Sequence, residues 1–232
     1  MKKLLMLLIV LFIAAAALGS DDKEQAVAPP EHPDVNGWQN LFKDDLSNAV
    51  YPNDVWTFRD GILTASEDKA IWTKEIYDNF ILDLEFKTAE GTNSGVFVYC
   101  SDPAKWIYDS VEIQIADDFS EKWASQPATW HCGAIFGHLA PSKSMVKKPG
   151  NWNRMTVTCI DKMIYVMLNG KQINKMDMSL WTSAKTNPDG SEIPKWLRKP
   201  KAKLDTKGLI GFQGKHAEAP IYFRNLKIKV LD

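Results

Sequence analysis

Hydrophobic and polar residues alternate along much of this chain, and the alternation has the period of β-strands. Phe80-Ile81-Leu82-Asp83-Leu84-Glu85-Phe86-Lys87 sends Phe80, Leu82, Leu84 and Phe86 to one face and Asp83, Glu85 and Lys87 to the other. Val111-Glu112-Ile113-Gln114-Ile115-Ala116 repeats the pattern, with Val111, Ile113 and Ile115 opposite Glu112 and Gln114. Further strand-like runs stand at Asn93–Tyr99, Asn153–Ile160, Ile164–Leu168, Leu209–Phe212 and Ile221–Val230. Asp60-Gly61 and Asn169-Gly170 separate apolar runs and supply the positive φ of tight hairpin turns. About a dozen short strands, no long amphipathic helix and no internal repeat predict an antiparallel two-sheet sandwich of jelly-roll type.

Periodicity fades in two places. Asp117–Pro149 carries Trp123, Trp130, His131 and His138 in loop-like sequence. Thr182–Lys207 is a long polar segment with Trp196 inside it, and loops of that length within a domain are usually functional or disordered. The N-terminus differs in kind. Lys2 and Lys3 precede an apolar run that ends in small residues, which is the form of an export signal over 1–19. Residues 20–36 are polar and Pro-bearing and read as a flexible linker, leaving 37–232 as one domain. The expected location is therefore periplasmic or extracellular, with no membrane anchor once the signal is removed.

Composition narrows the chemistry. A net charge of −1 over 232 residues leaves no basic surface for nucleic acid or an anionic membrane. The three cysteines, Cys100, Cys132 and Cys159, leave at least one thiol without an intrachain partner, and Cys100 and Cys159 fit buried positions in strands. No phosphate loop, nucleophile elbow or dinucleotide fingerprint is present. His131, His138 and His216 have no ligand spacing, so a metal site would need distant loops.

Glu112 and Gln114 are the most informative pair. A carboxylate and an amide in the middle of an apolar strand are costly to bury without partners. Retaining glycosidases place two carboxylates about 5–5.5 Å apart. Here the matching face reads Glu112, Gln114, Ala116; Asp117 is out of phase and Asp118 stands at the strand end. One base beside an amide donor suits proton abstraction next to a carbonyl. A structural hydrogen-bonded pair explains the same spacing equally well. Trp106, Tyr108, Trp123, Trp130 and Trp196 are candidates for stacking on sugar rings, or for the core.

Taken in order, Gly37-Trp38, Asp60-Gly61-Ile62-Leu63, Asn93-Ser94-Gly95-Val96-Phe97, Glu112-Ile113-Gln114-Ile115-Ala116-Asp117, Lys148-Pro149-Gly150-Asn151-Trp152-Asn153, Gly208–Gln213 and Phe223-Arg224-Asn225-Leu226 resemble one family. It is the 3-keto-disaccharide hydrolase, or 3-keto-glucoside 1,2-lyase/3-keto-2-hydroxy-glucal hydratase, domain. The resemblance implies an all-β, concanavalin-like jelly-roll sandwich of two antiparallel sheets. It implies an enzyme acting on a glycoside or oligosaccharide that a separate 3-dehydrogenase has already oxidised. A base removes the C2 proton and the C1 oxygen leaves by elimination, with water adding afterwards. Carried over residue by residue, Glu112 and His216 are the catalytic candidates. Asn93, Gln114, Lys148, Gln213, Arg224 and Trp106 are the substrate-binding candidates. No cofactor is firmly implied, and a divalent metal is left open. Two positions depart from the family pattern: Tyr99 stands where many relatives carry Arg, and Gln213-Gly214-Lys215-His216 replaces Gln-Asp-His-Gly. A non-catalytic carbohydrate-binding module on the same sandwich is the alternative.

Overall fold

The computed structural model describes residues 31–216 and 218–231, so the export signal read over 1–19 lies outside the described residues. Two antiparallel sheets face each other. In chain order the strands are β1 (Gln39–Asn40), β2 (Ala49–Val50), β3 (Trp56–Arg59), β4 (Ile62–Ala65), β5 (Ile71–Thr73), β6 (Phe80–Thr88), β7 (Asn93–Cys100), β8 (Val111–Ala116), β9 (Trp152–Ile160), β10 (Met163–Leu168), β11 (Lys171–Asp177), β12 (Leu209–Phe212) and β13 (Ile221–Val230). The larger sheet runs β11-β10-β9-β6-β13-β4-β3, with β1 also paired to β13; the smaller runs β2-β5-β12-β7-β8. This is the jelly-roll sandwich that the alternation predicts.

The core forms where the inward residues of the two sheets meet. Phe80, Leu82, Leu84 and Phe86 from β6 and Val111, Ile113 and Ile115 from β8 are all fully buried in one apolar cluster with Val96, Val98, Val157 and Phe223. Each such side chain taken from water contributes about 1.5–3 kcal/mol, which fixes the registers of the central strands. Both hairpin signals are realised. Asp60 and Gly61 take φ of 51° and 74°, and Asn169 and Gly170 take 48° and 83°, the left-handed pair that matches the strand twist.

Three readings need correction. Leu41-Phe42, a candidate first strand by sequence, lies just after β1 and is core without being strand. Asp83, expected to face water, is buried at 3 % exposure because β9 and the N-terminal segment close over it. Residues 32–33, read as linker, are tied to the larger sheet. His32 Nδ1 lies 2.7 Å from Thr156 Oγ1, its Nε2 accepts from Gly170 N–H, and Arg154 donates to the Pro33 carbonyl at 2.7 Å. The three cysteines are free and buried, as an odd count allows.

Candidate active site

The site is built on the outer face of the smaller sheet. β7 and β8 pair so that Gly95 lies opposite Gln114 and Phe97 opposite Glu112. With Val111, Ile113 and Ile115 held in the core, Glu112 and Gln114 must point away from it. Gly95 makes room for the acid: a Cβ there would stand 2.4 Å from Glu112 Oε1 and 2.9 Å from its Cγ, so the Glu112 side chain lies directly across the β7 backbone. Gln114 Nε2 donates to Asn93 Oδ1 at 2.9 Å. That bond orients both amides and leaves the Asn93 Nδ2 hydrogens unclaimed among the described residues.

A cleft with about 250 Å³ of space open to water-sized molecules lies above these residues. Asn93, Glu112, Gln114 and Gln213 lie along the sheet, and His216 stands at one side. The walls come from the stretches where periodicity fades. The short helices α1 (Trp106–Asp109) and α2 (Glu121–Ala124) supply Trp106 and Trp123, and the following loop supplies Trp130 and Phe136. The 182–207 segment crosses over and adds Trp196 and Leu197. The rings brace one another. Trp130 meets Trp196 edge-on at 5.9 Å and Phe136 at 5.2 Å, while Trp106 leans on Phe97 at 4.5 Å and Phe97 stacks on Trp72 at 5.4 Å. Rigid aromatic faces with a few convergent amides suit the apolar and polar faces of a sugar.

Charge in the cleft is sparse. Glu112 keeps an edge open to the cleft, yet its carboxylate is enclosed by packed atoms, and burial pushes it up to about 8 while Lys201 pulls the other way. No hydrogen bond reaches that carboxylate among the described residues. His216 Nδ1 lies 2.7 Å from Asp68 Oδ2. A carboxylate can only accept from the ring, so Nδ1 carries the proton and Nε2 is free to exchange one. Gly214 permits this dyad. A Cβ there would come 2.3 Å from the Glu67 carbonyl, so only glycine lets the 214–216 segment lie against the turn that carries Asp68.

No second acid among the described residues joins Glu112. Asp117 accepts from Gly91 N–H at 2.9 Å and Phe119 N–H at 3.1 Å, and Asp118 accepts from Cys132 N–H at 2.9 Å. Both are occupied with backbone amides. Among the described residues no three His, Cys, Asp or Glu side chains converge as around a metal ion.

The structure thus brings Glu112, His216, Asn93, Gln114, Gln213 and Trp106 to one cleft, and leaves two candidates outside it. Arg224 lies on β13 in the other sheet, bound to Glu85 at 2.7 Å and stacked over Trp152 at 4.0 Å. Lys148 is exposed in the turn before β9, where its carbonyl accepts from Asn151. Arg224 is turned away by strand alternation, since its neighbour Phe223 faces the core. Tyr108 is exposed and also stands outside the cleft, whereas Trp123, Trp130 and Trp196 line it. Sequence reasoning missed Asp68 and Lys201. Lys201 sits in aperiodic sequence, and nothing in the spacing of Asp68 ties it to a histidine 148 residues away.

A family model described as the 3-keto-alpha-glucoside-1,2-lyase-like domain matches residues 31–229. A 3-keto-disaccharide hydrolase of Bacteroides thetaiotaomicron is 23 % identical, over 85 % of this chain and 75 % of its own length. A crystal structure from Parabacteroides distasonis, of a protein provisionally called a glycosyl hydrolase, is 56 % identical with a TM-score of 0.82, covering 84 % of this chain and 100 % of that one. A second P. distasonis structure under the same provisional description is 24 % identical, covers 81 % of this chain and 90 % of that one, and has a TM-score of 0.64, a likeness of fold.

Proposed function

We propose that this chain, which belongs to the 3-keto-alpha-glucoside-1,2-lyase-like domain family, cleaves glycosides oxidised at C3, with Glu112 as its base. The observation that carries the reading is a single carboxylate of raised basicity facing a sugar-sized cleft, with every neighbouring acid engaged elsewhere. Ordinary retaining or inverting hydrolysis needs two carboxyl groups flanking the bond. A 3-ketone removes that need, because it acidifies the C2 hydrogen.

In this reading the Glu112 carboxylate takes the C2 proton and the electron pair moves onto the C3 oxygen. The free amide hydrogens of Asn93 and Gln114, with Gln213 beside them, donate to the developing oxyanion. The enolate then collapses, the C1–O bond breaks, and the departing oxygen takes a proton from His216, held in place by Asp68. Water added across the resulting glucal completes a net hydrolysis. A basicity near 8 places Glu112 close to working pH, where a general base combines proton affinity with a usable ionised fraction. The tryptophan walls support a second reading, in which the cleft binds sugar without turning it over.

Incubation with α- and β-linked 3-keto-glucosides, followed by enone absorbance and reducing-sugar release, tests both. The enzyme reading expects signal from the native chain and loss of it in Glu112→Gln with ligand affinity retained. Silence of the native chain with both anomers would sink it and leave the binding reading. Export through residues 1–19, and supply of the ketone by a separate 3-dehydrogenase, belong to the same proposal. N-terminal sequencing of the protein recovered outside the cytoplasm checks the export.

A further inference from the structure

Behind Glu112 lies a second, smaller chamber with room for about one water molecule. Glu112 stands in the wall between the chamber and the cleft, and Ser110, His138 and Lys201 close its far side. Lys201 and His138 are each only 3 % exposed. Lys201 Nζ donates to the Ser110 carbonyl at 2.7 Å. His138 Nδ1 lies 2.7 Å from the Phe136 carbonyl, which can only accept, so the ring proton is on Nδ1 and Nε2 is a bare acceptor. That Nε2 is buried and without a partner. Burial lowers His138 to about 4, so the ring is neutral near pH 7. The same burial lowers Lys201, against the pull of Glu112. The other charges that act on Lys201 are Lys199 and Asp109, which pair with each other, and His216 also lines the cleft that Glu112 faces. No protein atom bonds His138 Nε2 or the Glu112 carboxylate among the described residues, and both line the chamber.

We propose that this chamber is a built site for a single water, which accepts from Lys201 Nζ and donates its two hydrogens to His138 Nε2 and to the Glu112 carboxylate, and that Lys201 is the positioning residue that favours the charged form of the base and aims it into the cleft. When Glu112 has taken a proton, its O–H donates to the same water, which still donates to His138. The base can then change charge and keep the same water. The inference rests on Glu112 as the base proposed above, and its test reads no turnover.

The test is a ¹³C NMR titration of the Glu112 carboxyl in the native full-length chain, Lys201→Met and Lys201→Arg, with ¹⁵N shifts and water–ring NOEs at His138 in the native chain. The expected result is a Glu112 midpoint raised by about one unit or more in Lys201→Met, returned towards native in Lys201→Arg. A water NOE to the His138 ring, with Nε2 unprotonated and hydrogen-bonded, is expected alongside it. An unmoved Glu112 midpoint, or a dry His138 ring, would overturn the proposal. Should Lys201→Met fail to fold, the native NOE and the Nε2 shift still decide. A protein inactive on 3-keto-glucosides but with a Lys201-dependent Glu112 would break the proposed activity and leave this site standing; an active protein with an indifferent Glu112 would do the reverse.

Discussion

Two acids stand on the outer faces of the two sheets, at the same kind of strand position, and they are handled in opposite ways. Asp83, on β6 of the larger sheet, accepts from Arg154 Nε at 3.0 and 3.2 Å and from Thr156 Oγ1 at 2.6 Å. His32 covers it from above at 4.0 Å. Glu112, on β8 of the smaller sheet, has a cleft in front of it and no hydrogen bond to its carboxylate among the described residues. Burial raises both acids. For Asp83 that cost is partly offset by two directed donors, Thr156 and the oppositely charged Arg154, which makes it a clamp between β6, β9 and the N-terminal segment. For Glu112 the cost stands as raised basicity, which is of use only if something in the cleft gives up a proton.

The largest effects should separate the two. Glu112→Gln preserves shape and removes the base, so turnover of a 3-keto-glucoside is expected to fall about a thousandfold or more, while the urea midpoint holds or rises. Asp83→Asn should leave turnover per folded molecule unchanged and lower stability by about 1–2 kcal/mol, because Arg154 and Thr156 lose a charged acceptor. Steady-state kinetics beside urea unfolding of both variants checks the pair. A stability loss in Glu112→Gln with activity intact would make the two acids alike and end the distinction.

Gly95→Ala tests whether placement of the acid matters as much as its presence. The added methyl would overlap Glu112 Oε1, and a displacement of about 1 Å at a reacting group is expected to cost about a hundredfold in kcat. Circular dichroism should show the sandwich retained, since Gly95 faces the cleft and its neighbours Ser94 and Val96 hold the core side. A variant with native kcat would show that Glu112 need not lie across β7.

How much of this contrast was legible beforehand differs between the two acids. The alternation around Glu112 gave its face correctly, because Val111, Ile113 and Ile115 leave one side of β8 for the core. The same rule applied to Asp83 gave the right face and the wrong environment. Arg154 and Thr156 come from a strand about 70 residues away, and His32 from a segment without periodicity, so nothing local announces the clamp. Length alone predicts that the 182–207 segment is functional or disordered; that Trp196 and Lys201 stand on either side of Glu112 depends on a crossover no spacing encodes. Family likeness brought Arg224 into the candidate site, and the register of β13 against β6 takes it out.

Asp68 gives a smaller effect. It holds His216 from an exposed position, so Asp68→Asn should lower turnover by about tenfold and leave KM unchanged. The alkaline limb of the kcat profile, which reports the proton donor, should also move, which a residue with a purely structural role would not cause. A variant indistinguishable from native would remove His216 from the proton-donor role and leave Glu112 alone.

The smallest effect is read in stability against pH, where the acid and the histidines pull oppositely. Glu112 is raised from 4.5 to about 8 on folding, so through that window the folded protein holds a proton that the unfolded chain has released, and stability falls as pH rises. His32 and His138 are each lowered from 6.5 to about 4, so between those values the unfolded chain holds the extra protons and stability rises with pH. Below pH 6.5 the two trends oppose each other; between 6.5 and about 8 only the Glu112 trend of these three remains. The urea midpoint of the native chain should therefore decline from pH 6.5 to 8. Glu112→Gln should lose that decline, while His32→Gln should flatten only the acid side. A decline that survives Glu112→Gln would place the titrating group elsewhere. The clefted acid would then have ordinary basicity, and its contrast with Asp83 would rest on geometry alone.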